Sequence, residues 1–450
     1  MLFQRRADHW NLDLFFLDKK PFSGFMDYVN LMLEKIKLLD APETVLAHQI
    51  TLYEELDLFV DSLESLLFLM KQENVNKDLQ IYDDILHKIS YELTVHVPFF
   101  FSRLRSVPID SLPFWGRNLK VMIEMDLDSD SYVPYPLLSN EENIDKFKQL
   151  QDRILKDKVE ENDFPKSLNL RIEMIKQWPC LIDSIASKRF FIDSHNYFNS
   201  IIPLTCQQSS LSLTNIRDIQ REPWSRLHFT YIDAIQYIEA YFSNYCIDFK
   251  GLVKKAFDDG RIRFLSRKNA PSFCLDTPKG SYIQVFFTGD LESLALLAHE
   301  CGHLIHQEMV RRKFVLKQEI SGYQSELIAL YFENHIVECV LQEMGHNRVY
   351  DTWMNRQYNE WVNWHMLLTI FELELYHLSS INRSSVAKLW MKLNQQFYPS
   401  YTDFYNGFCY EGEHSFHLFQ IPFYTLVYPS AYLHSLLLDD SDVINMIMSP

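Results

Sequence analysis

Residues 299 to 306 read HECGHLIH. Side chains four apart lie on one face of a helix, so His299 and His303 can offer two neutral imidazoles to one cation. Glu300, one position on, cannot enter the same geometry. It would stand where a carboxylate can take a proton from a water on the ion. Chance also places HExxH in unrelated chains, so the surroundings must decide. A catalytic zinc needs a third protein ligand. A histidine ten residues after His299 would be one source, but Met309 stands there. Carboxylates beyond the motif are then the candidates: Glu319 in KQEIS, and Glu326 and Glu333 on one face of SELIALYFENHIVECV. The plain alternative for the last two is a solvated acidic stripe. Leu327, Ile328, Leu330, Tyr331 and Phe332 argue against it, because so apolar a helix is buried and a buried carboxylate requires a metal or a hydrogen-bonded partner. His306 shares the histidine face one turn beyond the ion and reads as a packing or supporting residue. Cys301 points elsewhere and reads as core.

These residues need elements to hold them. RIRFL, APSFCLD and SYIQVFF, between Gly260 and Phe287, are short β-prone runs split by turn residues. Thr288-Gly289-Asp290 ends the last of them, and Asp290 can N-cap a helix beginning LESLALLAHECGHLIH. Elsewhere the pattern is helical. Leu52, Leu56, Phe59, Val60, Leu63, Leu66 and Leu67 fall on one broad face, within a helical region predicted over 25–100. A core face is the better account of that stripe than a dimerising seam. Residues 101–116 carry two prolines and break the pattern. Residues 126–145 read as a long connection, and a second helical block spans about 142–256. Helical patterns return over 325–345, 355–380 and 385–398, and Tyr, Phe and His crowd 399–438. No internal repeat is present.

The composition sets the class. The chain has 450 residues, 47% hydrophobic and 23% charged, with only 11 glycines. These values describe a helix-rich globular protein of two lobes. We place the lobes at residues 1–200 and 201–450. A net charge of −17 repels phosphate backbones and anionic lipid, which disfavours nucleic-acid and membrane partners. Seven widely spaced cysteines without a CxxC pair fit reduced thiols. With no signal-like amino terminus and no apolar run of about 18 residues, a cytoplasmic location is expected.

The combination HExGHxxH and ExxxxxxEN, here His299–His306 and Glu326–Asn334, resembles the thimet oligopeptidase and oligoendopeptidase F family of zinc peptidases. HLFQIPFYTLVYPSA, from His417, is similar to that family's carboxy-terminal H-x5-F-Y-x3-Y pattern. RKNAPSFCLD through FFTGDLESLALLAHE and HWNLDLFF at residues 9–16 are weaker likenesses. The resemblance implies one Zn2+ per chain on His299, His303 and Glu326, with Glu300 as base and Glu333 supporting the ligands. It implies that His417, Tyr424 and Tyr428 face the scissile carbonyl; without it, the two tyrosines would read equally well as core. It also implies a mainly α, two-lobed zincin-type fold with a deep central cleft and a small β-sheet beside the HExxH helix. Oligopeptides are the implied substrates, cut internally. Zinc carboxypeptidases of the same helical clan share the metal motifs and form the alternative; a catalytically silent peptide-binding scaffold is a third reading. The chain departs from the family in its short amino-terminal lobe, in Ala329 where a serine is usual, and in Ala431 where glycine is frequent.

Overall fold

The computed structural model describes Trp10 and residues 12–15, 22–41, 46–72, 79–108, 227–266, 271–313, 322–345, 347–378, 382–398, 412 and 424–448. The expected lobe boundary near residue 200, the connection over 126–145 and most of the second helical block lie outside these. The described chain is mainly α with one three-stranded sheet. It forms two compact units, Met1–Asp128 with Leu227–Ile320 and Asp439–Pro450, and Ser129–Arg226 with Ser321–Leu438.

The first unit begins with three helices, α1 (Phe22–Ile36), α2 (Leu46–Gln72) and α3 (Leu79–Ser106). The stripe predicted from the sequence is the core face of α2: Leu52, Leu56, Phe59, Leu63, Leu66 and Leu67 are buried, and Val60 packs partly exposed beside them. Met32 and Ile36 of α1 and Ile85, Ile89 and Phe100 of α3 belong to the same cluster. Removing a Leu side chain from such a cluster typically costs about 2–5 kcal/mol. The end of α1 leaves carbonyls without helical partners. The buried Gln49 amide donates to the Leu39 carbonyl at 2.7 Å and to that of Leu38 at 3.1 Å. Arg103 of α3 donates in turn to the Gln49 Oε1 at 2.8 Å. The predicted break after residue 100 comes later, because α3 runs to Ser106. The residue before a proline is pushed out of the helical region, and Pro108 imposes that limit on Val107.

Helices α4 (Tyr231–Tyr245) and α5 (Ile247–Asp258) lead into the sheet. Thr230 and Asp233 cap α4 reciprocally, and accepting from Thr230 holds the Asp233 carboxyl below its ordinary range. Strands β1 (Ile262–Leu265), β2 (Phe273–Leu275) and β3 (Tyr282–Phe286) lie where the β-prone runs predict them. Their order is β1-β3-β2, with β3 parallel to β1 and antiparallel to β2. Trp10 and Phe15, from the amino-terminal HWNLDLFF stretch, dock on this sheet. Trp10 Nε1 donates to the Ile283 carbonyl at 3.1 Å, and the Arg263 guanidinium lies 4.8 Å from the Trp10 ring centre. Phe15 packs on Tyr282 with ring centres 5.4 Å apart. Helix α6 (Leu291–Lys313), which carries the histidine motif, packs on β2, β3 and α5, and α12 (Asp440–Met448) returns against it from the carboxyl end.

The second unit contains α7 (Gly322–Glu343), α8 (Asn347–Gln357), α9 (His365–His377), α10 (Arg383–Phe397) and α11 (Val427–Ser435). Phe332, Trp353, Phe371, Trp390, Phe397 and Tyr432 are its largest fully buried side chains among the described residues. The sequence predicts a helical pattern for most of 355–380. The structure instead places a π-helical stretch, Tyr358–Trp364, between α8 and α9. Its wider turns leave carbonyls for side chains to serve: Asn359 donates to the Asn355 carbonyl at 3.1 Å, and His365 Nδ1 lies 2.9 Å from that of Glu360. No helix among the described residues is long and apolar enough to cross a membrane.

Trp10→Phe keeps most of the apolar contact but removes the donor to Ile283. An unmade hydrogen bond to a buried carbonyl costs about 1–3 kcal/mol. We expect a lower urea midpoint for the Trp10→Phe variant, read by circular dichroism; an unchanged midpoint would mean that this bond contributes nothing to the sheet.

Candidate metal centre

The local structure around the motif follows from its lead-in. Gly289 takes φ +84°, where a Cβ would also lie 2.7 Å from the Phe229 carbonyl, so glycine is required on both counts. Asp290 then caps α6 as the sequence predicts, its Oδ1 accepting from the Ser293 backbone N–H at 2.8 Å. Leu294, Leu297, Ala298, Cys301, Leu304 and Ile305 are all buried, so α6 turns one broad apolar face to the core. A helix of that kind has little freedom to roll or slide. The histidine side chains are thereby held by core packing.

His299 is buried and His303 half-buried. Their Nε2 atoms converge to 3.2 Å, with the rings nearly perpendicular at 83°. Zinc–nitrogen bonds of about 2.0–2.1 Å spanning a tetrahedral angle require a separation of about 3.3 Å. The imidazole pair therefore fits such an ion. His299, His303 and Glu326 each offer one ligand atom, and these atoms all lie within 4.8 Å of one another. Two neutral nitrogens and one carboxylate oxygen suit a borderline-soft divalent cation and leave room for a non-protein ligand.

Glu300 is 4% exposed, and its charge adds to the burial that raises the thiol pKa of Cys301 and of Cys274 on β2. A buried carboxylate next to a prospective ion is well placed for proton transfer. Neither thiol is suited to act as a thiolate ligand, since burial pushes both pKa values up. Among the described residues, Cys246, Cys274, Cys301 and Cys339 form no disulfide.

Glu326 and Glu333 lie on α7, where every residue from 326 to 334 is buried. The Tyr424 hydroxyl donates to Glu326 Oε1 at 3.1 Å. Burial and then the nearby charge of Glu333 raise the pKa of the Tyr432 phenol. Asn334, the last residue of the second motif, is buried with neither side-chain polar atom bonded to protein. Tyr424 opens a 3-10 turn, Tyr424–Leu426, that leads into α11, and its ring meets that of Tyr428 edge-on at 5.5 Å. Ala329 and Ala431, where the sequence departs from its resemblance, are fully buried. Glu319 and His417 lie outside the described residues.

Sequence reasoning missed the aromatic support behind Tyr428. The ring of His365 lies 4.4 Å from that of Tyr428, and Trp361 stacks on His365 at 5.4 Å and 9°. The run YNEWVNWH, with aromatic rings recurring at three- and four-residue steps, was the available signal.

His306 is buried at 1% exposure, and its Nδ1 has no hydrogen-bond partner among the described residues. Burial lowers its pKa from 6.5 to about 4. The unfolded chain takes up this proton near pH 6.5, whereas the folded chain refuses it until near pH 4. Unfolded protein thus binds more protons in that window, and stability falls as pH falls through it, by up to about 3 kcal/mol. For His306→Leu, the loss of stability between pH 6.5 and 4 should be smaller by that amount in chelator-treated protein, measured by urea unfolding at several pH values.

No family model matches this chain, and no curated protein matches it either. Solved structures do. A chain assigned as an oligoendopeptidase F in Bacillus anthracis aligns at TM-score 0.62 and 13% identity, over 93% of this chain and 86% of that one. A chain assigned as a peptidase in Chlamydophila abortus aligns at TM-score 0.59 and 13% identity, over 99% and 92%. PZ peptidase A, solved with an inhibitor, aligns at TM-score 0.55 and 13% identity, over 95% and 89%. What identities this low carry is the architecture: this chain has the mainly helical fold of the oligoendopeptidase F structures.

Proposed function

We propose that the protein is a zinc-dependent peptidase of the oligoendopeptidase F type that hydrolyses short unstructured peptides internally. The observation that supports this reading is that ligand atoms of His299 and His303, on the helix that also presents the buried Glu300, and of Glu326, on α7, lie within 4.8 Å of one another. The fold shared with peptidase structures supports it. A structural zinc site needs neither a free coordination position nor an adjacent buried carboxylate, which disfavours the silent scaffold.

His299, His303 and Glu326 would hold the ion. When bound, zinc polarises a carbonyl oxygen and brings the pKa of an attached water towards about 7. Glu300 takes the proton as water attacks the peptide carbonyl, then returns it to the leaving amine. Glu333 would support the ligands from the helix that carries Glu326, and His306, buried and neutral across the working range, lies three residues after His303. His417, Tyr424 and Tyr428 are the candidate donors to the carbonyl oxygen, a role typically worth about 2.7–4 kcal/mol per donor. Folded proteins are poor substrates, because a scissile bond must reach ligands that are themselves buried.

Purified protein should contain about one zinc per chain by elemental analysis, and His303→Ala and Glu326→Ala should lose it. Glu300→Gln keeps shape but removes the base. It should retain zinc and fold while turnover of a quenched-fluorescent peptide drops by at least about 100-fold. Zinc-loaded wild type that cleaves nothing in a broad peptide library would sink the enzyme reading. Release of single carboxy-terminal residues alone would move the activity to the carboxypeptidases.

A further inference from the structure

The resemblance gives Tyr424 and Tyr428 one shared task, but their surroundings differ. Tyr424 donates its hydroxyl to Glu326 Oε1 at 3.1 Å. Its ring has been given space to do so. An alanine Cβ in place of Gly322 would sit 3.3 Å from Tyr424 Cε2, closer than ordinary van der Waals contact, so the first residue of α7 carries no side chain on the side where the phenol approaches. Glu326 lies one helical turn further on, so the ring follows the helix surface and its hydroxyl meets the carboxylate.

Tyr428, one turn after Tyr424, is held otherwise. Its ring rests against His365, with centres 4.4 Å apart, and against Trp361 at 5.4 Å. Trp361 stacks on His365, and the His365 Nδ1–H donates to the Glu360 carbonyl at 2.9 Å, which fixes the imidazole plane. This support is built on the π-helical stretch Tyr358–Trp364, an irregularity that carries an energetic cost and is frequent at functional sites. The Tyr424 ring meets Tyr428 edge-on at 5.5 Å, so neither phenol can swing without disturbing the other.

We infer that the two tyrosines divide the work. Tyr424 is a positioning residue that orients the metal-ligating carboxylate of Glu326, while Tyr428, braced by Trp361 and His365, is the phenol presented to substrate. A carboxylate ligand has two oxygens and a rotatable terminal bond. A hydroxyl donor on Oε1 selects one orientation and leaves the other oxygen to meet the ion. Partners of this kind usually contribute 10- to 100-fold to metal affinity.

The inference rests on the proposed metal reading, and the test separates the two. Zinc dissociation constants are measured by competition with a chromophoric chelator, alongside unfolding of the chelated protein. Tyr424→Phe should weaken zinc binding by about 10- to 100-fold while leaving the unfolding of chelated protein near wild type. Tyr428→Phe should bind zinc as wild type does. In a Glu326→Gln background, Tyr424→Phe should have no further effect on the residual affinity, because its route to the metal is gone. Under the peptidase reading, excess zinc should restore activity to Tyr424→Phe but not to Tyr428→Phe, whose loss falls on kcat with KM unchanged. If Tyr424→Phe does not fold, Gly322→Ala supplies the same readout by displacing the ring, with weaker zinc binding expected. Wild-type zinc affinity in the Tyr424→Phe variant, or in Gly322→Ala where that variant is used, overturns the division of labour. Equal loss of affinity on Tyr428→Phe overturns it too. A wild-type protein that binds no zinc overturns the metal reading beneath it.

Discussion

Removing a carboxylate from water costs several kcal/mol unless something replaces its hydration. Glu300, Glu326 and Glu333 are among those so removed, each less than a tenth exposed. Glu326 has an answer in the Tyr424 hydroxyl, and a divalent cation held with His299 and His303 would complete it. The arrangement makes sense if the ion is part of the native state, since a charge buried beside two imidazoles is then compensated. The same low polarity that makes these groups costly also strengthens every electrostatic interaction with charge that develops among them.

Secondary structure serves this constraint in two ways. Helices α6 and α7 present their functional groups from largely apolar surroundings, so their positions are set by packing. The sheet and the Asp290 cap fix where α6 begins, and with it the height at which His299 and Glu300 emerge. Within the first unit, Trp10 and Phe15 fasten the amino-terminal segment to the strand preceding that helix.

Much of this was legible because it is local and periodic. The α2 stripe, the three strands and the Asp290 cap each follow from side chains within a few positions of one another. The histidine pair was legible for the same reason, since i and i+4 share a face whatever surrounds them. Choosing Glu326 over Glu319 or Glu333 was not, because the distance from one helix to the next is not encoded in spacing; the family resemblance made that choice. The π-helical stretch was invisible because its aromatic spacing also fits an ordinary helix, and only its i→i+5 bonding distinguishes the two. Nor does any local signal show that α12 packs on α6, a contact made only in three dimensions.

The tyrosines show how a motif can mislead when it is treated as a unit. Two phenols at i and i+4 look equivalent in sequence, and a shared role follows naturally from the pattern. Their partners are unlike: one hydroxyl is committed to a carboxylate, and the other ring is stacked into an aromatic wall. A donor already bonded to the Glu326 carboxylate must give up that bond before it can serve a developing oxyanion, and the exchange cancels much of what the new bond would contribute. A donor held by ring packing surrenders no ring contact when its hydroxyl turns to a substrate. Preorganisation therefore favours Tyr428 for the carbonyl and Tyr424 for the ligand, and the small side of α7 at Gly322 is the sequence feature that makes the second role sterically available.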